Sequence, residues 1–528
     1  MVFFTSNLRL IRRICQSLKQ AEFWSCLIVL LFCLYPYDFF LLETLQNSSL
    51  KSFIAQFFSP ESLSVETLIN LLIFLPFGAS FANHLGDRHL GSWKSLLSVV
   101  YSAFLLTFIV EILQGFLPGR NPSCIDLILN VLGAIAGFLI FKLYGFRIKK
   151  IAQFMRNKLR IKLSRRRLFI IFFGYLIFVL LGSISLQRMT TYLWSPTNWD
   201  TTFPLIVGNE LEGDRPWNGE ISSLCLASRV VTAQPYEKFS KEKTCDFWEQ
   251  TFSSIYDLGD LPPINDRTGK LPPLLLQGVF ETSSTPIKLS PNMWLQTSEA
   301  ISQLSDQVRQ SGQLAIGIVL KSHQRDQFGP ARIISISNGP YERNFMLGQE
   351  SNHLYLRLRT PLTGKNGTRI GFVVPHAFAE SSSISSLLLK FNQAHLMVQT
   401  EPSSSVQQFR FTPGTTLFWL ISPLQKVEIH LTRKNRIFYD SIFYGLIFIP
   451  LGRLWVGIFF KYSKNFPGSF LMKITGILVP IVALETALSL DANRAIQWTN
   501  LWISFIIYGI ALIGFSQKYR DQPKTISY

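Results

Sequence analysis

Charged residues are scarce in this chain of 528 residues: they make up 16% of it, whereas 48% is hydrophobic and 14% aromatic. Soluble domains carry about 25% charged residues, so the composition argues against an ordinary soluble enzyme and for a membrane protein. The chain is also too long for one core. We predict eight apolar stretches that span or nearly span a bilayer, near residues 23–42, 68–85, 96–117, 125–146, 168–187, 442–460, 470–490 and 495–515.

Acidic residues are missing altogether from residues 142–167, which contain eleven Lys and Arg residues. By the positive-inside rule this loop between the fourth and fifth spans is cytoplasmic. Counting spans from it places both termini in the cytoplasm and residues 188–438 outside. These basic clusters account for the net charge of +18, so no nucleic-acid partner is required. The first apolar run is long and lacks a small-x-small cleavage site, which predicts a retained span rather than a signal peptide.

Cysteines are also few: the chain has six. Cys225 and Cys245 fall in the region predicted to be exported, and that compartment permits a disulfide. The sequence does not supply the geometry that a disulfide requires, so a disulfide and two unbonded cysteines are equally open alternatives.

A polar pattern in the first membrane spans recurs 374 positions later without a gap. The two acids, the Pro-x-Gly pair and the arginine are kept, whereas Asn70, Gln114 and Asp126 are replaced. Each copy contains three spans, and the extra fifth span makes the copies parallel rather than inverted. The kept or related positions are Glu66 and Asp440, Pro76 and Pro450, Gly78 and Gly452, Glu111 and Glu485, Arg120 and Arg494, and Asp126 and Asn500.

The first copy predicts a polar site at the outer membrane edge. Each of its helices presents two polar residues on one face, at i, i+3 or i, i+4, and Arg120 lies in a connecting loop. Ionisable groups within apolar helices are costly and mark functional sites, and arginine suits a bidentate grip on carboxylate or phosphate. The predicted site comprises Glu66, Asn70, Glu111, Gln114, Arg120, Asp126 and Asn130.

Two alternatives for the same residues stay open. Polar side chains between membrane helices also serve simply to bond the helices together. The carboxylates could instead hold a hard metal ion, although no ligand histidine lies among them.

Residues 66–146 resemble the VanZ-like family of bacterial membrane proteins. The resemblance rests on residue types and their spacing, and the degenerate second copy extends it to about residues 440–515. The family is associated with lowered sensitivity to teicoplanin-type glycopeptides, so the resemblance implies work on the cell envelope and does not assign a reaction. The matching positions are Asn70, Pro76, Gly78, Glu111, Gln114, Arg120, Asp126 and Asn130.

The exported region has short alternating runs broken by Gly, Pro, Ser and Asn, which predict an antiparallel β-sandwich. Residues 204–221 and 329–359 resemble the laminin-G/concanavalin-A-like lectin fold, with the two stretches in reversed order. The resemblance therefore implies a circularly permuted, glycan-recognising domain.

Two sets of side chains in this region are binding candidates. Trp199, Trp217 and Trp294 can stack on sugars, although a core position is an alternative for Trp217. A second set can hold Ca²⁺, and turn chemistry explains it equally well; it consists of Glu210, Asp214 and Asn218.

We therefore predict a polytopic α-helical membrane protein of the bacterial plasma membrane, with about eight spans in parallel three-helix repeats and an inserted extracytoplasmic antiparallel β-sandwich. Its expected partners are the lipid bilayer and an envelope glycan or lipid-linked precursor. A membrane-anchored lectin scaffold and a transporter are the alternatives. The predicted segments are 1–65 (N-terminal segment and first span), 66–146 (first copy), 147–187 (basic loop and fifth span), 188–438 (sandwich), 439–516 (second copy) and 517–528 (cytoplasmic tail).

Overall fold

A computed structural model describes most of the chain outside the termini and several connections. Arg120 and the side chain of Glu66 lie outside the described part. The described residues are 21–34, 57, 65–86, 92–117, 122–159, 165–229, 245, 254–278, 287–378, 386–393, 395–401, 406–421, 427–431, 435–462, 469–492 and 494–520.

Apolar helices dominate both ends of the described chain. Six of them are long and apolar enough to cross a membrane, and Ala21–Cys33 and Ile69–Leu85 are shorter apolar helical segments. The predicted membrane protein is thus confirmed, and six of the eight predicted spans meet this length within the described residues. The helices are α1 (Ala21–Cys33), α2 (Val65–Gly86), α3 (Ser92–Gln114), α4 (Cys124–Leu159), α5 (Arg165–Trp194), α6 (Ser302–Ser311), α7 (Pro413–Ile421), α8 (Asn435–Tyr462), α9 (Ser469–Asp491) and α10 (Trp498–Arg520).

Helices α1 to α4 pack around one apolar core, which we call the first bundle. Helices α2 and α4 lie so close that a Cβ at Gly78 would overlap the carbonyl oxygen of Ala134, and one at Gly133 would overlap that of Leu71. Small residues permit this approach, which maximises dispersion contacts where no hydrophobic driving force acts between helices. Helix α1 joins the bundle partly through a hydrogen bond between the hydroxyls of Ser25 and Ser80, 2.9 Å apart.

Helices α5, α8, α9 and α10 form a second bundle with its own core. The ring of Phe172 on α5 lies 5.2 Å from that of Trp455 on α8. The Tyr508 hydroxyl on α10 donates a hydrogen bond to the backbone carbonyl of Gly476 on α9, at 3.0 Å. This bond gives a buried hydroxyl its partner, as an apolar surrounding demands.

Between α5 and α8 the chain forms a β-sandwich, as predicted. One sheet has the order β15-β11-β10-β9-β8-β1-β6-β4 and the other β14-β13-β12-β7-β2-β3, with β5 beside β2. The pairings are antiparallel except that β11 and β15 run parallel. The strands are β1 (Leu205–Val207), β2 (Gly219–Ala227), β3 (Ser254–Asp257), β4 (Leu274–Gly278), β5 (Lys288–Leu289), β6 (Met293–Thr297), β7 (Gln313–Ser322), β8 (Gln327–Ser337), β9 (Arg343–Ser351), β10 (His353–Leu358), β11 (Ile370–Val374), β12 (Ser386–Asn392), β13 (His395–Glu401), β14 (Val406–Arg410) and β15 (Val427–His430).

The sandwich packs directly on the ends of two helices of the second bundle. Trp194, the last residue of α5, stacks on Phe411 with ring centroids 4.0 Å apart, and it belongs to the core of the sandwich together with Tyr439 of α8. Helices α5 and α8 therefore run directly into the domain that they carry. A disulfide joins Cys225 of β2 to Cys245.

Candidate functional site

The best-defined acid of the predicted membrane site is Glu111, near the end of α3. Its side chain is buried, and its Oε2 accepts a hydrogen bond of 2.9 Å from the backbone N–H of Ser123, which directly precedes α4. Negative charge is stabilised at a helix N-terminus, because the free N–H groups and the helix dipole both face it. The position of Glu111 beside the start of α4 therefore lowers the free-energy cost of burying its carboxylate.

Gln114 and Asn130 bond the helices of the first bundle to one another. The Gln114 side-chain amide donates to the carbonyl of Cys33 at the end of α1, at 2.8 Å. The Asn130 amide donates to the Thr107 hydroxyl across α4 and α3, at 2.7 Å, while its Oδ1 atom is buried and has no hydrogen-bond partner among the described residues. These contacts are what the helix-bonding alternative expects of the two amides.

Asp126 and Asn70 lie nearer the bundle surface. Asp126 is half-buried in the first turn of α4, and its backbone N–H is 3.5 Å from the Ser123 hydroxyl oxygen. Asn70 is half-buried on α2. The structure thus brings Glu111 to the first turn of α4, which carries Asp126.

The second bundle surrounds Glu485 with hydrogen-bond donors. Its Oε1 accepts from Arg494 at 2.7 Å and from the backbone N–H of Gln497 at 3.0 Å, and its Oε2 accepts from the Asn500 amide at 3.2 Å. Asp440, the other acid of the predicted second copy, is buried on α8. Glu485 thus takes part in a fully formed ion-pair and hydrogen-bond network.

The bonds of Glu111 and Glu485 join corresponding positions. Ser123 and Gln497 are separated by the same 374 residues as the two acids, and each gives its backbone N–H to the acid. The bundles differ at the position of Asp126 and Asn500. Asn500 donates to Glu485, whereas an ionised carboxylate only accepts hydrogen bonds. The first bundle therefore carries an additional ionisable group beside its buried acid.

One comparison with known proteins found a match, and it covers the first bundle. The VanZ/LLP1 family matches residues 23–145. These residues span α1 to α3 and most of α4, and they include every described residue of the predicted membrane site. No curated protein and no solved structure matches the chain.

The tryptophans proposed for sugar stacking lie in different environments. Trp199 and Trp217 belong to the sandwich core; their indole N–H groups donate to the Arg359 carbonyl at 3.1 Å and to Gln349 Oε1 at 3.0 Å. Trp294 on β6 is half-buried. Of these three rings, only that of Trp294 retains solvent-exposed area for stacking.

Glu210 and Asp214, two of the three residues proposed for calcium, have side-chain partners in the structure. Glu210 is fully buried and forms an ion pair with Arg332, 3.3 Å apart, and Asp214 is 3.4 Å from Arg215. The backbone N–H of Asn218 donates to Gln327 Oε1 at 2.8 Å. No group of three His, Cys, Asp or Glu residues suited to a metal ion occurs in the described part of the chain, and calcium binding stays a prediction.

Sequence reasoning missed the buried arginines that surround Glu210. Burial lowers the pKa of Arg332 to about 10 although Glu210 opposes the shift, and burial together with Arg332 lowers the pKa of Arg343 to about 9. Ser337 also donates to Glu210. Ser335 and Ser337, two residues apart on one strand, were the available signal, because polar residues at this spacing mark one polar face of a sheet. Arg332 is three residues from Ser335, and an irregularity between Arg332 and Ile334 breaks the simple alternation there.

Proposed function

We propose that the protein is a VanZ-like integral membrane protein of the bacterial cell envelope that recognises envelope glycans or lipid-linked precursors. The first bundle binds the anionic part of the ligand at the outer membrane edge, and the exported sandwich binds its glycan. In this proposal both termini are cytoplasmic, all eight apolar helices span the membrane, and residues 188–438 are extracytoplasmic.

The burial of Glu111 carries the proposal for the first bundle. Moving a carboxylate from water into a helix bundle costs free energy, and packing of the helices alone does not require such a group. Glu111 lies at the end of α3 against the first turn of α4, within the region that the VanZ/LLP1 family matches. Arg120 is proposed to grip the anionic group, and Asp126 to be the second ionisable partner.

We also propose that the two bundles arose by duplication and that the second lost its ligand site. The equivalent bonds at Glu111 and Glu485 support this, as does the close packing at Gly78 and Gly452 on corresponding helices. In the second bundle, Arg494 and Asn500 satisfy the acid internally. An acid satisfied in this way stabilises its bundle without a ligand.

The proposal is tested with purified full-length protein incubated with lipid-linked cell-wall precursors and envelope lipids. Mass spectrometry measures both the retained ligand and any converted product. We expect Glu111→Gln to lose retention or conversion by at least about tenfold, as the loss of one charge-assisted hydrogen bond implies. Conversion lost in this variant would identify an enzyme, and retention without conversion a binding protein.

Glu485→Gln is the matched control, because it removes the equivalent acid from the second bundle. It is expected to retain ligand like the wild type. Equal retention by wild type and Glu111→Gln would disprove a ligand site in the first bundle.

A membrane-anchored lectin scaffold is the second candidate. The direct continuation of α5 and α8 into the sandwich core favours it, since Trp194 and Tyr439 fix the domain to its anchor. Under this alternative, glycan retention by full-length protein would depend on Trp294 and would be the same in wild type and Glu111→Gln. A Trp294→Ala variant that retains every glycan would contradict it.

A further inference from the structure

A cavity of about 520 Å³ lies where the second bundle meets the sandwich. Its wall combines the end of α5, the end of α6, the turn between β12 and β13, and Asp491 at the end of α9. Ligand cavities in proteins have volumes of about 300–1,000 Å³, so this one is large enough for a headgroup.

The lining of the cavity is polar and includes two guanidinium groups. Arg188 on α5 pairs with Asp491 at 2.7 Å and is three-quarters exposed. Arg309 on α6 pairs with Asp306 at 2.6 Å and is about half exposed. Both arginines are therefore held in place by a carboxylate while their remaining N–H groups stay available to an anion.

Hydroxyl and amide groups complete the lining. The cavity is bordered by Thr191, Tyr192 and Ser195 on one side and by Gln310 and Gln393 on the other. Hydroxyls and amides of this kind donate to and accept from the polyol part of a headgroup. The set fits a phosphate that carries a hydroxylated substituent.

One wall of the cavity is fixed by backbone contacts. Gly312 ends α6 with a φ of +66°, and a Cβ there would lie 2.7 Å from the Ser195 hydroxyl oxygen. The backbone N–H of Gln393 donates to the Gly312 carbonyl at 3.0 Å. Because glycine alone adopts this conformation without strain, the α6 end and the β12–β13 turn are held against α5.

The cavity lies at the depth of lipid headgroups. The apolar spans end at Trp194 on α5 and at Asp491 on α9, and Trp194 is already within the sandwich core. Arg188 precedes Trp194 by six residues, or about 9 Å of helix, and the headgroup layer on each side of a bilayer is about 5–7 Å thick. The exposed Tyr192 at the same level is typical of this interface.

We infer that this cavity binds the phosphate-bearing headgroup of an anionic lipid, with Arg188 and Arg309 contacting the phosphate. The site is separate from the first bundle and does not depend on the function proposed for Glu111. Its position also gives the lipid a role: it fills the space between the second bundle and the sandwich and stabilises their contact.

The test uses purified full-length protein reconstituted in bilayers of phosphatidylcholine containing phosphatidylglycerol. Native mass spectrometry then counts the phosphatidylglycerol retained after extraction. We expect the double variant Arg188→Gln, Arg309→Gln to retain at least about tenfold less, since each lost charge-assisted hydrogen bond is worth roughly that factor. Arg267→Gln, which breaks a similar exposed ion pair with Asp257, should leave retention unchanged.

A second variant separates binding from folding. Asp491→Asn removes the carboxylate that competes for Arg188, so it should raise phosphatidylglycerol retention while the double variant lowers it. A general loss of structure would lower retention in both variants, and that result would overturn the inference, as would equal retention by wild type and the double variant.

Inorganic phosphate distinguishes the source of the anion. If millimolar phosphate displaces the retained phosphatidylglycerol, the cavity recognises free phosphate and the lipid assignment is wrong. Retention that withstands phosphate supports a lipid ligand, because the acyl chains then contribute to binding from the bilayer side.

Discussion

Gly78 on α2 lies directly against the backbone carbonyl of Ala134 on α4, with no space between them for a Cβ atom. This contact sets the distance between the two helices that share the most extensive interface of the first bundle. Because dispersion contacts dominate membrane-helix packing, the bundle should depend strongly on this glycine.

Gly78→Ala is expected to destabilise the first bundle by about 1–3 kcal/mol, the usual cost of overpacking. Thermal unfolding of the purified full-length protein measures the change. Gly182→Ala on α5 is the control, since a Cβ there meets nothing within 4 Å; it should be neutral or slightly stabilising because alanine favours helix. Equal melting temperatures for both variants would show that α2 and α4 do not require this contact.

The ion pair between Arg494 and Glu485 should contribute more than the one between Arg188 and Asp491. The two pairs have the same N–O distance of 2.7 Å, but Arg494 is only 24% exposed whereas Arg188 is 75% exposed. Arg494→Gln leaves a buried acid short of a donor, so we expect a loss of about 1–3 kcal/mol. Arg188→Gln should change stability by less than about 1 kcal/mol. Thermal unfolding of both variants tests this order, and a reversed order would contradict it.

Arg332 and Arg343 should respond oppositely to replacement by methionine. Arg332→Met leaves Glu210 as an unpaired buried charge, which costs about 3–5 kcal/mol. Arg343 donates from Nη2 to the Pro340 carbonyl, but its Nε and Nη1 atoms are buried without hydrogen-bond partners among the described residues, so Arg343→Met should cost little or be stabilising. Unfolding of the sandwich, followed by tryptophan fluorescence in the full-length protein, distinguishes the two. A similar loss in both variants would mean that Arg343 also compensates the charge of Glu210.

The disulfide between Cys225 and Cys245 should stabilise the sandwich by roughly 3 kcal/mol, because it closes a loop of moderate length in the unfolded chain. The two cysteines are 20 residues apart in sequence. Reductant, or the double variant Cys225→Ala, Cys245→Ala, should lower the unfolding temperature of the sandwich. Cys26→Ala, which changes a free cysteine, controls for loss of a thiol and should leave the unfolding temperature unaffected by comparison.

Composition and periodicity were sufficient to predict the membrane helices and the sandwich. This is because the spacing of apolar residues along each element shows which face of that element is buried. The exact ends of α5 and α8 were not predictable, because both helices continue into the sandwich through Trp194 and Tyr439. In a sequence, an aromatic residue at the end of a span looks the same whether it lies at the membrane interface or in the core of the sandwich.

The offset of 374 residues relates two acids that each accept a backbone N–H from the residue twelve positions later, but it did not give their side-chain partners. Nothing in the sequence distinguishes Gln114, which bonds the end of α1, from a ligand-binding amide. Likewise the burial of Trp199 depends on strands far away in the chain. Long-range packing decided these roles, and a single sequence records it only weakly.

Under the duplication that we propose, each unit would contain four helices rather than the three spans of the sequence pattern. Helix α1 bonds to α2 and α3 in the first bundle through Ser80 and Gln114, and α5 contacts α8 in the second through Tyr175, whose hydroxyl donates to the Leu446 carbonyl at 3.1 Å. We expect a four-helix unit in each half, with the sandwich inserted after the first helix of the second unit.

The packing of Trp194 and Tyr439 into the sandwich core limits how far the domain can move from the membrane helices. The domain begins at the last residue of α5 and returns to the bilayer in α8, which starts at Asn435 soon after β15 ends at His430. A domain tethered by a flexible chain can search a large volume, whereas one clamped by two rigid helices stays within its own thickness of the membrane. A partner must therefore lie at the lipid surface to contact the sandwich. This favours molecules that are held in the membrane over polymers that lie farther from it.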